Sequence, residues 1–205
     1  MSDGQRPDTQ PDIRICFFGD SFVNGAGDPN YLGWSGRACQ AADRPHVTYY
    51  NLGIRGNTSK QIEARWQAES ALRFSADCDP RLVFSFGVND NCLENGHLRV
   101  SPKDAIACAR RILSQAKAQC PTLFIGPPPV ADDTINDRTV VTSMAYAALC
   151  DELSVPYLAT YPVLRDNSTW MNEVKATDGA HPSAAGYAVF AQLVSTWAAW
   201  QAWFI

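Results

Sequence analysis

Short apolar runs alternate along the chain with longer segments in which apolar residues recur at helical spacing. The short runs are rich in β-branched and aromatic residues, as buried parallel strands are, and occupy residues 13–18, 47–51, 82–86, 123–125 and 155–158. The helical segments occupy residues 58–74, 102–119, 134–153 and 182–200. Strands that alternate with helices form right-handed βαβ units, so the pattern predicts one three-layer α/β/α sandwich around a parallel sheet.

Composition and charge are those of an ordinary globular protein, and they limit the kinds of partner to be expected. The chain has 205 residues, of which 46% are hydrophobic and 19% charged, and this length fits a single domain over residues 13–205. Residues 1–12 are polar, contain two prolines and predict a disordered leader rather than a signal peptide. A net charge of −4 and the lack of a Lys/Arg run disfavour nucleic acid as a partner. No apolar stretch approaches the roughly 18 residues of a membrane span, so we expect no stable membrane insertion.

The cysteines indicate the compartment rather than the chemistry. There are seven of them, an odd number, and no two have the CxxC spacing of a zinc ribbon or a dithiol redox site. Several lie within apolar runs, where Cys behaves as a small hydrophobic residue. Reduced thiols are typical of a cytoplasmic protein, and we expect that location.

Small and polar residues follow the predicted strands at the points where each strand ends. Ser21 lies just past the first strand, Gly53 just past the second and Asn89 just past the third. Asp178 and His181 lie directly before the last predicted helix. Because active groups of α/β folds gather at the carboxyl ends of the strands, we expect these residues to meet at one edge of the sheet.

These residue types are the ones that acyl transfer requires. A serine hydroxyl is a weak nucleophile until a neighbouring base accepts its proton, and His181 is the natural base for Ser21. Asp178 is placed to bond the other ring nitrogen and to fix the tautomer. The backbone N–H groups of Ser21 and Gly53 and the side chain of Asn89 are then candidate oxyanion donors, each worth about 2.7–4 kcal/mol in the transition state.

The same residues form four ordered blocks, which read GDS at 19–21, NLG at 51–53, GVND at 87–90 and DGAH at 178–181. Together they resemble the SGNH/GDSL hydrolase family and span almost the whole predicted domain. The resemblance implies a flavodoxin-like fold with five parallel strands, no metal and no organic cofactor. It also implies that Ser21 is the nucleophile, that His181 and Asp178 complete a triad, and that Gly53 and Asn89 line the oxyanion hole. Phe22 stands where many members carry leucine.

Two glycine motifs suggest other enzyme classes but are incomplete. Gly25 and Gly27 begin a dinucleotide-binding loop that would need a third glycine where Asn30 stands. The segment 33–36 begins a G-x-S-x-G elbow but lacks its final glycine, which disfavours an α/β-hydrolase of that kind.

Several aromatic residues have both a functional and a structural interpretation. Tyr31, Trp34 and Trp170, with Met171, are predicted to fall in loops near the site and to line a substrate pocket, with core packing as the alternative. Tryptophans 197, 200 and 203 recur every third residue, so they are expected to dock on the core, with a homodimer contact as the alternative.

The sequence thus predicts an ester hydrolase that acts through an acyl-enzyme on a small-molecule ester with a short acyl group, because no long insertion would form a lid. Carbohydrate O-acetylesterase, thioesterase, lysophospholipase and lipase activity are alternatives within the family. A non-catalytic binding module on the same fold is an alternative of another class. A metal-dependent hydrolase would place Asp20 and Asp90 beside Asp178 and His181, but we expect Asp20 and Asp90 to fix loops by accepting backbone hydrogen bonds.

Overall fold

The computed structural model describes residues 12–204. The predicted leader therefore lies outside the described residues except for Asp12. The strands are β1 (Ile13–Gly19), β2 (Val47–Gly53), β3 (Asp79–Ser85), β4 (Leu93–Glu94), β5 (His97–Leu98), β6 (Thr122–Ile125) and β7 (Tyr157–Leu158). The helices are α1 (Ser21–Asn24), α2 (Gly33–Ala42), α3 (Ser59–Ala71), α4 (Pro102–Lys117), α5 (Asp133–Leu153), α6 (Tyr161–Arg165), α7 (Ser168–Ala176), α8 (Ala184–Ser195) and α9 (Ala198–Gln201).

Five of the strands form one parallel sheet in the order β2-β1-β3-β6-β7. This is the strand order of flavodoxin-like folds, in which ligands bind where the order reverses, here between β1 and β3. The fold class predicted from the sequence is confirmed. Gly19 at the end of β1 lies opposite both Gly53 of β2 and Ser85 of β3, so the loops that follow these three strands leave the sheet at the same level.

Each face of the sheet carries its own hydrophobic core. Alternate residues of β1 point to opposite faces: Phe17 packs against Trp34 and Trp200, whereas Phe18 stacks on Phe84. The core around Phe17 is covered by α2, α7 and α8, and the core around Phe18 is covered by α3, α4 and α5. Helices therefore cover both faces, as the three-layer prediction requires.

The single helix predicted over residues 182–200 was wrong, because α8 ends at Ser195 and α9 begins at Ala198. Trp197 is the N-cap residue of α9 and has an extended backbone, so the chain turns there. Trp200 is fully buried in the core around Phe17, while Trp197 and Trp203 are half-buried against the same core. The three tryptophans therefore dock on the core, as the structural interpretation expected, and the homodimer stays a prediction.

The segment between β3 and α4 contains a short antiparallel hairpin that the sequence analysis did not predict. Strands β4 and β5 pair Glu94 with His97, which leaves Asn95 and Gly96 as a two-residue turn. Both have positive φ angles, 52° and 79°, as a type I′ turn requires, and Asn-Gly is the preferred sequence for such turns. This hairpin carries the chain back toward the end of the sheet where the candidate residues lie.

None of the helices within residues 12–204 combines the length and the apolar character that crossing a bilayer requires.

Candidate active site

Ser21 is held at the carboxyl end of β1 by a tight turn. Asp20 is the N-cap residue of α1, and its Oδ1 accepts a hydrogen bond from the Phe22 amide at 3.0 Å. Helix α1 is a single turn that is capped at its C-terminal end by Gly25, whose φ of 83° favours a residue without a side chain. Ser21 is the first residue of this turn and is 5% exposed. The nucleophile candidate is therefore fixed by its backbone rather than carried on a long loop.

The structure brings Ser21, His181 and Asp178 into one hydrogen-bonded line. His181 Nε2 lies 2.7 Å from Ser21 Oγ, and His181 Nδ1 lies 2.7 Å from Asp178 Oδ2. The Phe22 ring packs against the imidazole at a centroid distance of 5.0 Å. Both ring nitrogens are thus engaged, and the side of the ring toward Phe22 is packed, which leaves the imidazole one orientation.

Asp178 is prepared to accept a hydrogen bond from the imidazole ring of His181. Its Oδ1 accepts the backbone N–H groups of Ala180 and His181 at 3.0 and 2.9 Å, so the same carboxylate closes the turn and orients the ring. Partial burial favours the neutral acid, but the hydrogen bonds from the amide and ring of His181 and from Ala180 outweigh it and lower the pKa of Asp178 to about 2. Asp178 is therefore ionised at neutral pH.

Asn89 lies on the neighbouring loop, in the single 3₁₀ turn that follows β3. Its Nδ2 donates to Asp20 Oδ2 at 3.2 Å and to the Asn57 carbonyl at 3.1 Å. The Asp20 carboxylate thus joins the loop after β1 to the loop after β3, and Asn57 joins the loop after β2. All three loops meet at Asn89, as the strand-end argument predicts.

Gly53 does not offer the free amide that the sequence analysis expected. Its N–H donates to Asn51 Oδ1 at 3.0 Å, and a single N–H has one hydrogen to give. A β-carbon at Gly53 would clash with Asn24 N and would lie 2.7 Å from Asp20 O. The expectation that Gly53 is an oxyanion donor is therefore corrected: its glycine character permits the close approach of β2 to α1.

Gly56, three residues further along the chain, has the free backbone N–H and the open surroundings that Gly53 lacks. The Asn57 amide donates to the Ile54 carbonyl at 3.1 Å, which closes a turn with Gly56 at its third position. Its φ of 77° is the left-handed value that a type II turn requires there. Within residues 12–204 its N–H has no hydrogen-bond partner, and the space beside its α-carbon is open. The turn pattern was the signal that the sequence analysis missed.

Asp20 and Asp90 fix loops, as expected. Asp90 Oδ1 accepts the Ser59 amide at 2.8 Å and so holds the start of α3, while Asp20 caps α1. Burial raises the pKa of Asp20 to about 7 in spite of the Phe22 hydrogen bond, and the nearby Asp90 carboxylate adds to the shift. No grouping of three or more His, Cys, Asp or Glu side chains suited to a metal ion occurs in the part of the chain that the structure describes.

The aromatic residues assigned to a substrate pocket are placed differently. Trp34 and Trp170 lie in α2 and α7 rather than in loops, and both are completely buried. Trp34 stacks on Phe190, and Trp170 donates its indole N–H to the Pro129 carbonyl at 3.0 Å, so both are core residues. Their proposed contact with substrate was wrong, because neither has exposed surface to offer. Tyr31 does lie in a loop and is 90% exposed, and its role stays a prediction.

Comparison with known proteins identifies a family for this chain. A profile described as the GDSL-like Lipase/Acylhydrolase family matches residues 17–189 of the chain. No curated protein shows significant sequence similarity.

Solved structures with the same fold cover nearly the whole chain. Axe2, an acetylxylan esterase from Geobacillus stearothermophilus, is 20% identical with a TM-score of 0.70, over 88% of this chain and 91% of that one. A lipase/acylhydrolase from Enterococcus faecalis is 20% identical with a TM-score of 0.66, over 89% and 93%. A lipolytic protein of the G-D-S-L family from Veillonella parvula is 17% identical with a TM-score of 0.70, over 89% and 96%. At these identities the likeness shows a common fold. The family profile goes further: the chain is a hydrolase that belongs to the GDSL-like lipase/acylhydrolase family.

Proposed function

We propose that this chain is a serine-dependent carboxylic-ester hydrolase that works through an acyl-enzyme intermediate. The observation that carries the proposal is the hydrogen-bonded line from Asp178 through His181 to Ser21, with two contacts of 2.7 Å. A serine, a histidine and an ionised carboxylate in this order are the parts that activate a hydroxyl as a nucleophile.

In the first half of the reaction, Ser21 Oγ attacks the carbonyl carbon of the ester while His181 Nε2 accepts the hydroxyl proton. The tetrahedral intermediate then collapses, the bond to the alcohol oxygen breaks, and the same proton passes from Nε2 to the departing alkoxide. The acyl group remains on Ser21. Asp178 keeps the Nδ1 proton in place throughout and stabilises the imidazolium that forms between the two transfers.

In the second half, water replaces the alcohol. His181 Nε2 accepts a proton from the water, whose oxygen attacks the acyl carbon, and the second tetrahedral intermediate expels Ser21 Oγ. The proton returns to Ser21 and the carboxylic acid leaves. Water is the only reactant besides the ester. His181 serves as both the base and the acid in each half of the reaction.

The negative oxygen of each tetrahedral intermediate requires hydrogen-bond donors. We assign this role to the Ser21 N–H, the Gly56 N–H and Asn89 Nδ2, which lie in the loops that follow β1, β2 and β3. Ser21 N–H and Gly56 N–H are unpartnered among residues 12–204, whereas Asn89 Nδ2 already donates to Asp20 Oδ2 and the Asn57 carbonyl, so an incoming oxygen would compete for one of those two hydrogens. Each such donor is worth about 2.7–4 kcal/mol in the transition state.

For the substrate we propose small or short-acyl esters. The loops that surround Ser21 are braced by hydrogen bonds to one another, and the described chain carries no long insertion over them. Acetylated sugars form the second class to test, since an acetylxylan esterase is among the proteins with this fold. Thioesters and lysophospholipids complete the set that the family membership suggests. If none of these is hydrolysed, the remaining interpretation is a binding module on the same fold.

The test is hydrolysis of p-nitrophenyl esters from acetate to dodecanoate by the wild type and by Ser21→Ala. Ser168→Ala, an exposed serine at the start of α7, is the matched control. The proposal expects the wild type and the control to be equally active, with an optimum at the short esters, and Ser21→Ala to be inactive. Full activity of Ser21→Ala would overturn the mechanism, and an optimum at dodecanoate would overturn the proposed acyl preference.

We also propose a cytoplasmic location. All seven cysteines are free thiols in the structure, and a reducing compartment keeps them so. Titration of the protein purified from its native cell with a thiol reagent is expected to count seven thiols under denaturing conditions. A smaller count that rises after reduction would contradict the proposal.

A further inference from the structure

Arg99 connects two of the proposed oxyanion donors although it follows neither of their strands directly. It comes immediately after the β4–β5 hairpin, and its side chain extends back to the carboxyl end of the sheet. Its Nη1 donates to Asn89 Oδ1 at 3.3 Å, and its Nη2 donates to the Gly56 carbonyl at 2.8 Å. One guanidinium therefore holds both loops.

We propose that Arg99 is a positioning residue of the oxyanion hole, which fixes Asn89 and Gly56 relative to each other. This inference rests on the proposed function and deepens it. Arg99 acts through Asn89 and the Gly56 turn and touches no reacting atom.

Arg99 determines which end of the Asn89 side chain faces the site. A carboxamide has an acceptor end and a donor end, and a guanidinium can only donate, so Arg99 selects Oδ1. The donor end, Nδ2, then faces Asp20 Oδ2 and the Asn57 carbonyl. When a substrate oxygen competes for an Nδ2 hydrogen, those two contacts weaken. The contact from Arg99 does not compete with the substrate and keeps the amide in place.

Arg99 also sets the spacing between the two donors. Gly56 follows β2 and Asn89 follows β3, so the chain that joins them runs through the whole of α3 and β3. An active site needs its donors held to within about 0.5 Å. The rigid, planar guanidinium supplies that spacing, because its two nitrogens are set by its own geometry. A lysine ammonium on a flexible stem cannot set it.

Arg99 also brings a positive charge to Asn89. Seven arginines of the described chain pair with carboxylates, among them Arg37 with Asp28 and Arg110 with Glu152, and five do not, among them Arg99. Arg99 has no carboxylate within ion-pair distance among residues 12–204. A cation bound at Oδ1 polarises the amide and makes Nδ2–H a better donor to a negative oxygen. The positive charge of Arg99 is therefore in direct contact with the Asn89 carboxamide.

Backbone hydrogen bonds on either side of Arg99 fix the segment from which its side chain extends. The Arg99 amide donates to the Cys92 carbonyl at 3.0 Å, and the next amide, of Val100, donates to the Asp90 carbonyl at 3.3 Å. The hairpin is thereby tied across its base to the loop that carries Asn89. Arg99 extends from a braced segment and is half-buried.

The experiment is a double-mutant cycle measured with a soluble short-acyl ester. Arg99→Ala is expected to lower kcat by about 10-fold to 100-fold with KM changed less than about threefold, since the donors act in the transition state. In an Asn89→Ala background the same substitution is expected to lower kcat by less than about threefold, because one of the two donors that Arg99 fixes relative to each other is gone. Arg110→Ala, an exposed arginine on α4, is the control and is expected to match the wild type.

Arg99→Lys separates geometry from charge. It keeps the positive charge but not the two-pronged contact, so it is expected to stay within about threefold of Arg99→Ala. Wild-type activity in Arg99→Lys would overturn the bridging role. Equal losses from Arg99→Ala with and without Asn89 would show that Arg99 does not act through Asn89 and would overturn the proposal.

The two proposals fail in different ways. Activity in Ser21→Ala would overturn the proposed function itself. An inactive Ser21→Ala beside an Arg99→Ala with wild-type kcat would leave the function intact and overturn only the assignment of Arg99.

Discussion

Ser21 Oγ and His181 Nε2 lie 2.7 Å apart although 160 positions separate them in the chain. The contact depends on the packing of α8 beside the loop that follows α1. Tyr187 of α8 donates its buried hydroxyl to the Ala26 carbonyl at 2.8 Å, and a β-carbon at Gly27 would lie 2.9 Å from the Pro182 carbonyl. The two ends of the domain are thus joined directly behind the catalytic candidates.

Asp178→Asn is expected to lower kcat by a factor on the order of 10²–10⁴ while the fold persists. The new amide oxygen can still accept the Ala180 and His181 backbone N–H groups. Its NH₂ group, however, would donate to Nδ1 and move the ring proton to Nε2, where it prevents acceptance of the Ser21 proton. Steady-state kinetics with thermal unfolding as the check on folding measure this. Asp166→Asn, an exposed carboxylate after α6, is the control, and equal activity of both variants would argue against the triad.

Asn89→Ala is expected to lower kcat by about 10²–10³ with little change in KM, because the lost donor acts on an oxygen that is charged only in the transition state. Asn172→Ala, on the exposed side of α7, should behave as the wild type. Initial rates over a range of ester concentrations separate the two parameters. A raised KM at unchanged kcat would instead assign Asn89 to ground-state binding.

Gly53→Ala is expected to destabilise the fold much more than Gly56→Ala does. A β-carbon at Gly53 meets the backbone of α1, so we expect a loss of about 3 kcal/mol or more and a fall in Tm of about 10 °C. At Gly56 the space is open and only the positive φ is unfavourable, which costs about 1 kcal/mol, or about 2–4 °C. Thermal unfolding of both variants tests this, and a Gly53→Ala protein as stable as the wild type would contradict the structural role of Gly53.

Asp28 is expected to stabilise the fold in a pH-dependent way. Burial disfavours its charge, but hydrogen bonds from Arg37 and from the Asn30 and Gly33 amides outweigh burial and lower its pKa to about 2, from 3.8. A lowered folded-state pKa means stability that is fully present above the unfolded value and is lost as the pH falls from about 4 toward 2. The shift corresponds to about 2 kcal/mol.

Urea unfolding of wild type and Asp28→Asn at pH 7, 5 and 3 measures this difference. The difference in unfolding free energy should be the same at pH 7 and 5 and clearly smaller at pH 3. Asp151→Asn, an exposed carboxylate of α5, controls for the loss of one negative charge. A difference that does not change with pH would show that the charge of Asp28 is not what stabilises the loop.

The sheet and the three catalytic candidates were predictable because local signals determine them. Uninterrupted apolar runs mark buried parallel strands, and the end of a strand fixes which edge of the sheet Ser21 occupies. The DGAH turn places Asp178 and His181 three residues apart, so their contact is set by local geometry. The fold class followed from the alternation of strands and helices.

Other features depend on contacts that the sequence does not display. Whether Gly53 or Gly56 has a free amide is decided by the side chain of Asn51, which accepts one of the two N–H groups. Helix α2 is rich in Gly, Ser and Ala and has few apolar residues to mark it, so Trp34 looked like a loop residue. Arg99 was overlooked because its two acceptors come from other loops.

The central claim is that Ser21 becomes covalently acylated, and a fluorophosphonate probe tests it most directly. The probe reacts with an activated serine and stays on it, so intact-mass spectrometry followed by peptide mapping locates the adduct. We predict one adduct on the wild type, on the peptide that contains Ser21, none on Ser21→Ala, and much slower labelling of His181→Ala. An adduct that persists in Ser21→Ala, or an active wild type that takes up no probe, would contradict the account.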